Sequence, residues 1–159
     1  MAYMPGETIS TRGRPAEILL VEDNYGDVLL TQDAFSAARL PNTIRVASDG
    51  EQAIEMLHKT GPYSNMATPD LILLDLNLPK KDGKEVLAEI KRDEKLMHIP
   101  VLVLTSSGAQ RDVIASYRLH ANGYIIKPES LEQFSDVVAS IEHFWFNNVV
   151  VPDRPYSPS

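Results

Sequence analysis

The sequence predicts an α/β fold, a doubly wound five-stranded parallel sheet in the order 2-1-3-4-5 with helices on both faces. Three observations carry that expectation. Short β-rich apolar runs alternate with longer amphipathic ones, and no internal repeat accompanies the alternation. Four of the five short runs are apolar almost throughout, as strands covered on both faces are. Parallel neighbours also need a crossover between them, and the intervening helical patterns supply it.

Taken in order, the first strand is Ile18 to Val21. Tyr25, Val28, Leu29 and Phe35 then share a helical face, with Asn24 as N-cap and Asp27 three residues on as a shortened capping box. Thr43 to Ala47 follows and is the one run that alternates, which puts it at a sheet edge. Ala53, Ile54 and Leu57 make the second helical stripe. A long connection from Lys59 to Pro69, carrying Gly61, Pro62 and Asn65, leads to the third strand, Leu71 to Leu74. Val86, Leu87 and Ile90 form the third stripe, opened near Gly83. The fourth strand is Val101 to Leu104, the fourth and weaker stripe Val113, Ile114 and Tyr117, and the fifth strand Tyr124 to Ile126. Leu131, Phe134, Val137, Val138, Ile141, Phe144 and Trp145 close the series with the clearest helical period, about 3.6 residues.

A chain of 159 residues suits one domain at roughly 100–200 residues each. The expected organisation is a flexible N-terminal tail over 1–16, a folded domain over 17–146 and a C-terminal extension with a Pro-rich tail over 147–159. With 15 Lys plus Arg against 22 Asp plus Glu, the net charge of −7 gives no field to attract nucleic acid or an anionic membrane. No apolar run approaches the roughly 20 residues of a membrane helix. The absence of cysteine removes thiolate catalysis and Cys-bound zinc, and fits a cytoplasmic protein.

In open parallel sheets, ligands bind beyond the carboxyl ends of the strands. Glu22 and Asp23 follow the first strand, Asp75 the third, Thr105 the fourth and Lys127 the fifth. Strands 1 and 3 are neighbours in the expected order, so three carboxylates converge with a hydroxyl and an ammonium beside them. Such a cluster is unfavourable unless a cation or proton shares it. Oxygen-only donors favour a hard cation, and the small number of carboxylates favours Mg2+, which takes phosphate oxygens as well. Lys127 and Thr105 then meet the needs of a phosphoryl group, a positive charge and a donor. A cis bond at Pro128 is one way to aim the lysine, although trans is the commoner state. His58, His98, His120 and His143 fall on separate segments and read as surface or structural residues.

Glu22-Asp23, Asp75 within Leu-Leu-Asp-Leu-Asn-Leu-Pro, Thr105-Ser106 and Lys127-Pro128 together resemble the receiver domain of two-component response regulators, over about residues 17–146. The resemblance implies the flavodoxin-like receiver fold and a phosphoacceptor Asp75 that receives its phosphoryl group from a phosphohistidine of a cognate histidine kinase. It further implies Mg2+ held by Asp23, Asp75 and the backbone carbonyl of Asn77, with Glu22 binding through water. Thr105 and Lys127 would contact the acyl phosphate, and Thr105 would act with Tyr124 as the switch pair. Autophosphotransfer and autodephosphorylation would be the only chemistry, the latter shaped in part by Asn77 and Ser107.

The long Lys59–Pro69 connection and the ending Phe144-Trp145-Phe146 followed by Val149-Val150-Val151 are similar to the stand-alone regulators paired with phytochrome-type kinases. Receivers of that type imply a homodimer through helix 4, strand 5 and helix 5, with Phe144, Phe146, Val149 and Val150 at the interface. The rival readings are three. A pseudo-receiver binding module would keep the fold without phosphorylation. An aspartyl-phosphate phosphatase needs a second Asp where Asn77 stands, and a nucleotide-binding domain needs a Gly-rich motif that does not occur.

Overall fold

The structure, a computed structural model, describes residues 14–144. Five parallel strands, β1 (Ala16–Val21), β2 (Asn42–Ala47), β3 (Leu71–Leu74), β4 (Val101–Thr105) and β5 (Gly123–Ile126), form one sheet in the order β2-β1-β3-β4-β5. The helices α1 (Tyr25–Ser36), α2 (Gly50–Leu57), α3 (Gly83–Arg92), α4 (Gln110–Arg118) and α5 (Leu131–Ile141) alternate with them, as the sequence predicts.

Because successive strand residues point to opposite faces, β1, β3 and β4 feed two cores at once. Ile18, Leu20, Leu71, Leu73, Leu102 and Leu104 pack with Val28, Ala34 and Phe35 of α1 and Phe134, Val138 and Ile141 of α5. Leu19, Val21, Ile72, Leu74, Val101 and Val103 pack on the other face with Ala53, Met56 and Leu57 of α2 and Val86, Leu87 and Ile90 of α3. Continuous apolar runs are what a strand buried on both faces requires.

The differences from expectation are local. β1 begins at Ala16, and the Arg14 guanidinium holds Asp70 with two bonds of 2.8 and 2.9 Å, so residues 14–16 belong to the fold rather than to a tail. β5, at the expected edge and apolar like the inner strands, has no fully buried residue, and Ile126 is 56% exposed. On α1 the buried residues are Val28, Thr31, Ala34 and Phe35, while Tyr25 and Leu29 are exposed. The Lys59–Pro69 connection carries a short 3-10 turn, Gly61–Tyr63, and is tied down by the Gln52 amide donating to the Tyr63 hydroxyl at 3.0 Å and by buried Met66. The Lys127–Pro128 bond is trans, as are all peptide bonds among the described residues. Trp145, Phe146, Val149 and Val150 lie outside the described residues.

Candidate functional site

Three site residues, Glu22, Asp75 and Lys127, are set by a backbone bond that continues the sheet one step past their strands. The Glu22 N–H donates to the Ala47 carbonyl at 2.9 Å, the Asp75 N–H to the Val21 carbonyl at 3.0 Å, and the Lys127 N–H to the Thr105 carbonyl at 2.8 Å. A close approach fixes Asp75 further. The Gly83 N–H donates to the Leu76 carbonyl at 3.1 Å, and a Cβ at Gly83 would lie 2.3 Å from the Asp75 carbonyl oxygen and 2.5 Å from the Leu76 Cα. Only glycine lets the start of α3 seat there.

These constraints bring Glu22, Asp23 and Asp75 together, with one carboxylate oxygen of each within 4.8 Å of the others. Glu22 and Asp75 are 3% and 5% exposed, whereas Asp23 is exposed to solvent. The Lys127 ammonium lies 2.6 Å from Glu22 Oε1, 2.8 Å from Asp75 Oδ2 and 2.8 Å from Asp27 Oδ2. It is the cation that the carboxylate cluster demands in this state. The all-oxygen donor set, open to solvent at Asp23, also fits a hard divalent ion, which Glu22, Asp23 and Asp75 are placed to hold.

The two buried carboxylates differ. Burial pushes Glu22 up to about 7, against the opposing pull of Lys127. Burial also acts to raise Asp75, but the Lys127 ammonium, the Asn77 N–H at 3.1 Å and a hydrogen bond with Glu22 outweigh it, and its pKa falls below the ordinary 3.8. Asp75 is therefore the ionised partner at neutral pH. Burial works against the charge on Lys127 too, yet its bonds to Asp27, Asp75 and Glu22 raise its pKa above 10.5.

On the far side of the site, Thr105 is fully buried and its Oγ1 accepts the Ser107 N–H at 3.5 Å. The half-buried Tyr124 hydroxyl donates to the Ser107 carbonyl at 2.7 Å. The Ser107 hydroxyl donates to Asp112 Oδ2 at 2.5 Å, and Lys84 Nζ reaches Asp112 Oδ1 at 2.6 Å, so α3, α4 and β5 meet at this loop. Burial lifts the Tyr124 phenol above its ordinary value, which keeps it a donor at neutral pH.

Sequence reasoning missed Asp27 and Asp112. The sequence pattern reads Asp27 as part of a capping box. Asn24 Oδ1 does accept the Asp27 N–H at 3.0 Å, but the reciprocal bond is absent: the Asn24 N–H donates to Glu22 Oε2 at 3.1 Å, which frees the Asp27 carboxylate for Lys127. Asn77 is exposed beside Asp75, and Phe144 is exposed beyond α5.

A family profile for the response regulator receiver domain matches residues 18–139. The response regulator Rcp1 of Synechocystis sp. is 47% identical over 138 residues, covering 87% of this chain and 94% of Rcp1. Among solved structures, the phosphorylated cyanobacterial phytochrome response regulator RcpA superposes with a TM-score of 0.83 at 47% identity, over 87% of this chain and 99% of that one. The Mn2+-bound form of Rcp1 gives 0.81 at 47% identity over the same shares.

Proposed function

This chain belongs to the response regulator receiver domain family, and from that membership we propose that Asp75 accepts a phosphoryl group from a phosphohistidine of a partner histidine kinase in the cytoplasm. The observation that carries the reading is the ionised, nearly buried Asp75 carboxylate held 2.8 Å from Lys127 and within reach of Glu22 and Asp23. RcpA is a phytochrome response regulator, and by that likeness the kinase is taken to be of phytochrome type.

Carboxylates are weak nucleophiles, so the site must work by positioning and charge. Asp75, already ionised, needs no general base. Its oxygen attacks phosphorus in line with the donor, the bond to the donor breaks, and the donor leaves with its electron pair. Lys127 exchanges its bond to Asp75 for one to a phosphoryl oxygen. Thr105 donates its hydroxyl to another. Bound Mg2+ would add charge neutralisation on the transferring oxygens. Asp23, Asp75 and the Asn77 backbone carbonyl would hold it, with Glu22 acting through water. Thr105 moving toward the phosphoryl group would disturb the Ser107 loop that Tyr124 bonds, and so shift α4 and β5.

The surface those elements present supports a homodimer. Ile114 and Tyr117 of α4, Ile126 of β5, Leu131 of α5 and Phe144 are all exposed apolar side chains. Phe146, Val149 and Val150, the other side chains expected at a dimer interface, lie outside the described residues. Burying two or three such side chains per subunit, at about 1.5–3 kcal/mol each, would offset the cost of association in such a dimer.

The test is labelling with acetyl phosphate. An acid-stable, alkali-labile adduct that requires Mg2+, maps to Asp75 and disappears in Asp75→Asn is the expected result. Failure of the wild type to label under any divalent ion would favour the pseudo-receiver alternative, a binding module that is never phosphorylated.

A further inference from the structure

Lys127 is bound by one carboxylate more than the acidic cluster alone provides. An ammonium has three N–H donors, and here Glu22, Asp75 and Asp27 take them all, at 2.6, 2.8 and 2.8 Å. Two of those three partners belong to the cluster suited to a divalent ion, whereas Asp27 does not. A cation at that cluster competes with Lys127 for Glu22 and Asp75, and a phosphoryl group on Asp75 removes the charge of the oxygen that bears it. Of the three bonds, the one to Asp27 is the only one that neither event consumes.

Asp27 is also built to stay in place. It lies in the first turn of α1, its N–H donates to the Asn24 cap at 3.0 Å, and its carbonyl accepts the hydroxyl of buried Thr31 at 2.8 Å. Two turns further on, the helix buries Ala34 and Phe35 against the sheet. Its carboxylate therefore has a fixed origin, while the lysine side chain that it meets lies a hundred residues away in sequence at the end of a short edge strand.

We propose that Asp27 is a positioning residue that keeps the Lys127 ammonium over Asp75 while its bonds to Glu22 and Asp75 are given up during phosphoryl transfer. The inference rests on the reading of Asp75 as phosphoacceptor. Without Asp27, the long lysine side chain would have no permanent partner once the cluster is occupied, and its charge would be spread over several rotamers at the moment that the phosphoryl oxygens need it. A second effect opposes this one: Asp27 places a negative charge near an anionic donor. The lysine lies between the two, in hydrogen-bond contact with Asp27, so positioning outweighs repulsion.

The experiment is stopped-flow phosphorylation of the full chain by acetyl phosphate in saturating Mg2+, fitted to a saturating rate constant and a half-saturating donor concentration. Asp27→Ala should lower the saturating rate about tenfold and leave the half-saturating concentration within about twofold. Asp27→Asn keeps an acceptor oxygen while removing the charge, and should recover most of the loss. In a Lys127→Ala background, followed by slow end-point labelling, Asp27→Ala should cost nothing further, because the aspartate acts through the lysine. A rate that rises in Asp27→Ala, or an equal loss with and without Lys127, would overturn the proposal. A wild type that never labels at Asp75 would instead overturn the reading on which it rests.

Discussion

The two halves of the sheet are built to different standards. On the β1–β3 side every residue of β3 is buried, α1 and α3 seat against the strands through wholly buried side chains, and the Asp75 backbone is pinned by Val21 and by the close approach of Gly83. On the α4–β5 side, Ser116 is the one fully buried residue of α4, β5 has none, and Tyr117 is 51% exposed. Local stability follows buried apolar contact, so the first half is rigid and the second is easily rearranged. A nucleophile needs a fixed geometry, and a signal needs a surface with two arrangements of similar energy. Lys127 and Thr105, reaching the same site from the ends of β5 and β4, join the halves.

Removing Lys127 disrupts the join between the two halves most severely. Lys127→Ala should slow phosphorylation of Asp75 by at least about a hundredfold, since it removes both the charge over the nucleophile and the link to β5. Mg2+ affinity, read by isothermal titration calorimetry, should hold or increase, because the lysine competes for Glu22 and Asp75. A large loss of Mg2+ affinity would mean that the lysine supports the metal ligands instead.

A middle-sized effect sharpens the view of the rigid half. Glu22 in the folded chain titrates near 7 instead of the ordinary 4.5, so between those values the folded state holds a proton that the unfolded state releases. Metal-free stability must then fall as pH rises through that window. Asp75 acts in the opposite sense: its lowered pKa contributes stability that is present above 3.8 and is lost only as pH falls through the folded value. The disfavoured charge is thus on Glu22 and not on Asp75. In EDTA, the thermal midpoint of the wild type should fall by roughly 5 °C from about pH 5 to about pH 8, and Glu22→Gln should remove most of that slope. An equal slope in the variant would contradict the assignment.

The sheet was legible because β1, β3 and β4 are unbroken apolar runs, and the site was legible because the residue after each run is polar. The thin cover over β5 was not, since Tyr124, Ile125 and Ile126 are as apolar as an inner strand and only their neighbours determine what covers them. Tyr25 and Leu29 fit a helical period equally well, yet α1 buries Thr31 and Ala34, whose small volumes suit its close packing. Asp27 was hidden for a different reason. A capping pattern accounted for it locally, and nothing in local sequence shows that Glu22 takes the Asn24 N–H and releases Asp27 to a lysine on another strand.

The smallest expected effect lies on the soft half. Tyr117→Ser should weaken self-association about tenfold, roughly 1.4 kcal/mol, in sedimentation equilibrium, without altering the rate at which Asp75 labels. A wild type that stays monomeric at tens of micromolar, phosphorylated or not, would remove the dimer and leave the exposed side chains of α4 and β5 for another partner.

The division between a fixed chemical half and a movable signalling half is tested most directly by hydrogen exchange with and without beryllium fluoride and Mg2+, a stable mimic of the phosphorylated state. Amides of α4 (Gln110–Arg118), β5 (Gly123–Ile126) and the loop around Ser107 should change their exchange rates by about tenfold or more, while those of β1 and β3 stay within about twofold. Changes confined to α1, β1 and β3, with α4 and β5 unaltered while the mimic is bound at Asp75, would contradict the account.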